Sequence, residues 1–129
     1  MKNSFYILLL ILASFQSCKK LEASEIQMIS AEEMQQRFQT ENIQVIDVRS
    51  AEEFSKGHIL TAKNILVNEK ADNPKFFDTL NKEQPIVVYG RESRQAKKAI
   101  NILEDKGFKE VYELEGGIEN WILLGGNLD

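Results

Sequence analysis

The sequence has few of the residues that build disulfides, metal centres or thiol chemistry. Its 129 residues include one cysteine, Cys18, and one histidine, His58. A single cysteine excludes a disulfide within the chain and any cysteine-rich metal site. One histidine leaves too few ligands for a zinc site built from protein side chains alone. We therefore expect no disulfide framework, no metal and no cofactor.

A basic block is missing as well. The chain carries 16 lysine and arginine residues against 20 aspartate and glutamate residues, a formal net charge of -4. No cluster of cations stands out that could neutralise a phosphate backbone, so the sequence argues against a nucleic-acid partner. With 43% hydrophobic and 28% charged residues, most of the chain has the composition of one soluble globular domain.

The longest apolar run lies at the N-terminus. Lys2 precedes FYILLLILASF (residues 5–15), and Gln16 and Ser17 lead to Cys18, after which charged residues follow at once. The run is too short to span a bilayer, which takes roughly 20 apolar residues, and it has the regions of a secretory signal. A cysteine in this place resembles the lipobox of bacterial lipoproteins, in which the cysteine is lipidated and becomes the first residue of the mature protein.

That resemblance implies three segments: a signal peptide at 1–17, a tether at 18–24 and a domain at 25–129. It also implies a membrane anchor at Cys18 and a place in the bacterial cell envelope, with the domain outside the cytoplasm. The alternative is that Cys18 is an incidental thiol beside a plain signal or an uncleaved anchor.

Strand patterns recur along the chain after residue 25. Three apolar runs are typical of buried strands: IQVIDV (43–48), IVVY (86–89) and VYEL (111–114). Shorter extended segments are predicted at 25–29 and within HILTAKNIL (58–66).

Helix signals lie between these strands. The sequence SAEE, beginning at Ser30 and again at Ser50, predicts a capping box, and Asn73 followed by Pro74 predicts a third helix start. A fourth helix, rich in alanine, ends at Gly107, and a fifth follows the two glycines of EGGIENW. Strands alternating with helices in this way predict a mostly parallel sheet with helices on both faces.

In such a sheet, ligands bind beyond the carboxyl ends of the strands. This rule points to the ends of IQVIDV and IVVY, and so to Asp47, Arg49 and a polar loop formed by Gly90, Arg91, Glu92, Ser93, Arg94 and Gln95. A loop that leads into a helix N-terminus attracts anions. The two loop arginines could complete an anion cradle or could be solvated surface charges, and the glutamate between them is unfavourable for an anion at short range.

Several motifs are linked along the chain: DVR at 47–49, EF at 53–54, GHI at 57–59, Ala62, NI at 64–65 and GFKEVYELEGGIENW at 107–121. In this order they resemble the signature of the rhodanese-like family. The similarity runs from residue 26 to residue 126. It implies a three-layer α/β fold with a five-stranded, mostly parallel sheet and helices on both faces.

The resemblance also says what the loop after IVVY does in active relatives. There the loop begins with a cysteine whose thiolate accepts a sulfane sulfur and hands it on, but the matching position here is Gly90. Cys18 lies at the predicted processing site, and the alcohol oxygen of Ser93 cannot carry a persulfide. We therefore expect a binding module for a protein partner or a small anion rather than an enzyme. The alternative is a sulfurtransferase-type enzyme or subunit that handles sulfur without its own cysteine.

Four other residues have expected structural roles. Asp47 and Arg49 are expected to pair with neighbouring loops at the rim of the sheet, and His58 is expected to be hydrogen-bonded rather than an acid or base. All three would then support the loop. Trp121 is expected to pack the last helix onto the sheet.

Overall fold

A computed structural model describes residues 25–67 and 74–129 of the chain. In these ranges the strands are Gln27–Ile29 (β1), Gln44–Asp47 (β2), Lys63–Asn64 (β3), Ile86–Tyr89 (β4) and Val111–Leu114 (β5). The helices are Ala31–Thr40 (α1), Ala51–Lys56 (α2), Pro74–Phe77 (α3), Ser93–Asp105 (α4) and Gly117–Leu123 (α5). The predicted signal peptide at 1–17, the predicted tether at 18–24 with Cys18, and the predicted helix cap at Asn73 lie outside the described residues.

The strands form one sheet in the order β1-β5-β4-β2-β3, and each neighbouring pair is parallel. The predicted α/β fold is therefore confirmed, with a sheet that is parallel throughout rather than mostly parallel. In the register, Asp47 lies opposite Tyr89, and Val88 lies opposite Glu113. The carboxyl ends of β2, β4 and β5 consequently meet at one edge of the sheet.

Strand β4 is the centre of the hydrophobic core, and its four residues are fully buried. Ile86 and Val88 pack on the face that α4 covers, whereas Val87 and Tyr89 pack on the face that α1 and α5 cover. A strand buried on both faces needs apolar side chains at every position, which is why IVVY shows no polar alternation. Trp121 belongs to the second face, as expected from the sequence.

Of the two predicted capping boxes, one forms completely and the other only in part. At α2 the full capping box is present, since Ser50 and Glu53 bond reciprocally. At α1 the Ser30 hydroxyl accepts from the Glu33 amide, but the Glu33 carboxylate pairs with Arg37 one turn further along. The α2 box matters for the site because it holds Glu53 at the carboxyl edge of the sheet.

The segment HILTAKNIL contributes less strand than its pattern predicts. Only Lys63–Asn64 joins the sheet, while Ile59 forms an isolated antiparallel bridge with Leu128 near the C-terminus.

Among the helices of the described ranges, none combines the length and the apolar character that crossing a membrane requires.

Candidate functional site

Asp47 and Arg49 form a buried ion pair at the carboxyl end of β2. Asp47 is 0% exposed and Arg49 is 8% exposed. The Arg49 Nη2 lies 2.6 Å from Asp47 Oδ2, its Nε bonds to both carboxylate oxygens, and its Nη2 also donates to the Gly57 carbonyl at 2.8 Å. The two residues thus pair with each other, and Arg49 also contacts the neighbouring segment at Gly57. The contact of Arg49 with Gly57 fastens β2 to the end of α2.

The same pair sets the charge state of its surroundings. Burial by itself would lower the pKa of the Arg49 guanidinium, but the hydrogen bonds and charge of Asp47 outweigh burial and raise that pKa. Burial and Asp47 likewise raise the pKa of the Tyr89 hydroxyl, which accepts a hydrogen bond from the Ile59 amide at 3.0 Å. Tyr89 therefore stays neutral and ties the end of β4 to the GHI segment.

His58 is occupied by local contacts. Its Nδ1 lies 2.9 Å from the Phe54 carbonyl, which requires a proton on that nitrogen, and its ring stacks on Phe54 with 3.7 Å between the centroids. His58 lines neither of the cavities beside the loop. The geometry gives it a structural contact to the end of α2.

The loop between β4 and α4 is packed tightly at its first residue. A Cβ atom on Gly90 would lie 2.9 Å from Val48 Cγ2 and 3.5 Å from Gln95 Oε1. On its other side, a Cβ on Gly117 would lie 2.6 Å from the Gly90 carbonyl oxygen, and Gly117 has a φ of 57°. Only a glycine at 117 allows this close approach of the two backbones. Gly90 is thus confined between β2 and the two-glycine turn.

The loop arginines do not converge. Arg91 is 72% exposed along its side chain and its Nη2 reaches Glu53 Oε1 at 2.6 Å. Hydrogen bonds from Ser50 lower the pKa of the Glu53 carboxyl, and the charges of Arg91 and Arg49 add to the effect. Arg94 is exposed on α4 and lines neither cavity beside the loop. The structure does not bring the two arginines together into an anion cradle, which was one of the two alternatives left open by the sequence.

Two small cavities flank Gly90. One of about 170 Å³ lies between Gly90 and the α2 side, with Glu53 and Glu119 in its wall. The other, of about 120 Å³, lies between the loop and β5, with Glu92 and Glu113 in its wall. Across residues 25–67 and 74–129, no group of three or more histidine, cysteine, aspartate or glutamate side chains could hold a metal ion.

The comparison with known proteins decides the family. The sequence profile of the rhodanese-like domain matches residues 30–123. The chain belongs to this family. It is 31% identical over 124 residues to the uncharacterized protein YibN of Escherichia coli strain K12, covering 95% of this chain and 84% of that protein.

One relative of this rhodanese-like chain has an activity in its name. The chain is 30% identical to thiosulfate sulfurtransferase GlpE of Shewanella oneidensis, over 76% of this chain and 94% of that protein. Among solved structures, the BH2092 protein of Bacillus halodurans superposes with a TM-score of 0.69 at 27% identity, covering 100% of this chain and 86% of that one.

Three glutamates of this rhodanese-like site were missed by the sequence reasoning. Glu53, Glu113 and Glu119 each line a cavity beside Gly90, although they lie on α2, β5 and α5. One signal was available: Glu113 is the only charged residue inside the VYEL strand, and a charge in a buried strand calls for an explanation. Glu53 was noted only as part of the EF motif and of a capping box, and Glu119 only as a residue of the last helix.

Proposed function

We propose that this chain is a rhodanese-like binding module that lacks a sulfur-carrying nucleophile of its own and binds a protein partner or a small anion at its Gly90 loop. The observation that carries the proposal is the position of Gly90, directly after β4 at the carboxyl edge of the sheet. In active relatives that position is expected to hold the cysteine. The only cysteine of this chain, Cys18, precedes the whole domain.

The surroundings of Gly90 support the proposal. No cysteine occurs in the domain, so a persulfide would have to arrive on another molecule. The hydroxyl within the loop segment, that of Ser93, belongs to an exposed residue on the first turn of α4. An alcohol oxygen cannot replace a thiolate as the carrier of a sulfane sulfur.

The proposed location is the bacterial cell envelope. The apolar run at 5–15 followed by Cys18 supports a lipid anchor on that cysteine, with the domain outside the cytoplasm. A partner would then be met at the membrane surface, within reach of a tether of residues 18–24.

A second candidate function is a sulfurtransferase-type enzyme or subunit that works on sulfur carried by a partner. The similarity to a protein named as a thiosulfate sulfurtransferase favours it. In this second candidate function the chain still takes part in sulfur transfer, but the thiolate that carries the sulfur belongs to the partner.

A thiosulfate:cyanide assay on the full chain in neutral detergent tests the proposal. We expect no thiocyanate above the protein-free rate, with the Shewanella oneidensis relative as positive control. Turnover by the chain alone would contradict the proposal. Turnover that appears only when a thiol-bearing envelope protein is added would select the second candidate.

A further inference from the structure

The two cavities beside Gly90 are lined by four carboxylates. Glu53 and Glu119 line the larger one, and Glu92 and Glu113 line the smaller one. The side chains come from α2, α5, the loop and β5, so the tertiary fold collects them from distant parts of the sequence.

The cations at these cavities are already engaged. Arg49 is bound to Asp47, and Arg91 is bound to Glu53, each at 2.6 Å. Neither arginine is left to balance the remaining glutamates. Counted over side chains, the surroundings of the loop carry excess negative charge, which favours a cation, while the positive end of the α4 dipole at Ser93 acts in the opposite sense.

The carboxylate of Glu113 is the strongest single indication of a cationic ligand. Glu113 is 5% exposed, and it lines the cavity formed with Gly90 and Ser93. Within the part of the chain that the structure describes, its carboxylate takes part in no hydrogen bond and no ion pair. Gln95 Oε1 is the one buried side-chain acceptor without a partner among the described residues, so the unpaired Glu113 oxygens are in contact with the solvent of the cavity, where a donor from outside can reach them.

Gln95 supplies a second unsatisfied acceptor. Its Oε1 is buried and, among the described residues, has no hydrogen-bond partner. The same atom faces Gly90, 3.5 Å from the place of a Cβ there. Its carbonyl dipole adds negative potential at the first residue of the loop.

The size of the cavities limits what could enter. At about 120 Å³ and 170 Å³, both are smaller than the ~300 Å³ at which ordinary small-molecule sites begin. A single guanidinium or ammonium head group on a side chain suits such a space. Of the two, a guanidinium presents more donors in a fixed fork, which suits a cavity whose two carboxylates, Glu92 and Glu113, come from different elements.

We propose that the cavity between the Gly90 loop and Glu113 receives the cationic head group of an arginine side chain that a partner protein presents. This inference rests on the proposed function, because it names the chemistry that the binding face recognises. It selects a protein partner over a small anion.

The test is a titration of the full ¹⁵N-labelled chain in zwitterionic detergent, followed by the amide signals of Gly90 and Gly117. The probe is N-acetyl-arginine-methylamide, and N-acetyl-citrulline-methylamide is its neutral counterpart of nearly the same shape. Thiosulfate is the anionic comparator. We expect saturable shifts with the arginine probe and at least ~10-fold weaker binding of the other two, since a hydrogen bond to a charged group is strong.

Two variants locate the effect. Glu113→Gln keeps the shape but removes the charge, and we expect it to weaken the arginine probe about 10-fold. Glu115→Gln changes the net charge equally at an exposed residue that lines neither cavity, and it should alter the affinity less than about twofold. Should Glu113→Gln fail to fold, Glu92→Gln on the same cavity gives the second reading, with a loss of about threefold.

Three results would overturn the inference. They are equal affinities for the arginine and citrulline probes, tighter binding of thiosulfate than of the arginine probe, and a cavity-charge variant that binds like the wild type. Each leaves the proposed function standing. That proposal fails by a different result, which is thiosulfate:cyanide turnover by the chain alone.

Discussion

Val48 Cγ2 stands 2.9 Å from the position that a Cβ atom on Gly90 would occupy. A valine is branched at Cβ and has little freedom to turn away in a buried strand environment. Packing against the end of β2 therefore disfavours a side chain at the first residue of the loop.

Gly90→Ala tests this contact. Overpacking of this kind costs about 1–3 kcal/mol, so we expect the free energy of unfolding to fall by about that amount. Val48→Ala removes the obstructing methyl groups, and adding Gly90→Ala to it should cost little more. Urea unfolding followed by the fluorescence of Trp121, the single tryptophan, measures all four proteins of the cycle. Strictly additive losses would mean that Val48 does not limit the residue at 90.

The next prediction concerns a thiol placed at residue 90. The variant Gly90→Cys combined with Val48→Ala supplies a sulfur at the start of the loop with space for its Cβ. We expect slow thiosulfate:cyanide turnover, because Glu92 and Glu113 repel the anionic donor. Adding Glu113→Gln should raise the rate about 10-fold. An equal turnover rate with and without Glu113→Gln would mean that the Glu113 carboxylate does not repel the donor at the loop.

The buried pair at the end of β2 is predicted to be costly to break. Asp47→Asn leaves Arg49 buried without its counter-charge, and such losses are about 3–5 kcal/mol. The matched control is Glu52→Gln, which breaks the exposed pair of Glu52 and Lys56 on α2 and should change the free energy of unfolding little. Similar losses in both variants would contradict a special role for the buried pair.

The lowered pKa of Glu53 predicts a pH dependence. Its carboxyl has a lower pKa in the folded chain than its ordinary value of 4.5, so its contribution is fully present above that pH. The contribution is lost as the pH falls further, through the folded-state pKa. The difference in the free energy of unfolding between wild type and Glu53→Gln should therefore be constant near neutral pH and shrink below about pH 4.5. Glu52→Gln is the control on the same helix, and a difference that persists unchanged in acid would refute the assignment.

The proposed anchor is testable through Cys18. We expect the wild-type chain in the membrane fraction of a bacterial envelope and expect its N-terminal peptide to carry the mass of acyl chains. Cys18→Ser should abolish the added mass, with the folded domain retained. An unmodified Cys18 in a membrane-bound wild type would favour the uncleaved anchor instead.

The order of strands and helices followed from the sequence, as did the parallel sheet and the position of Gly90 directly after β4. Local patterns determine these features: IVVY is apolar at every position because both of its faces are covered, and the serine at each SAEE caps a helix. The linked motifs from residue 47 to residue 121 then placed these elements in one fold.

The character of the site was decided by tertiary packing. From the sequence alone, Arg91 could have bound an anion. In the structure, Glu53 on α2 lies 2.6 Å from the Arg91 guanidinium and pairs with it. Glu113 became part of the loop's surroundings only through the pairing of β4 with β5. Such neighbours are far apart in the chain and meet because of sheet register and helix packing, which residue patterns along a single segment do not encode.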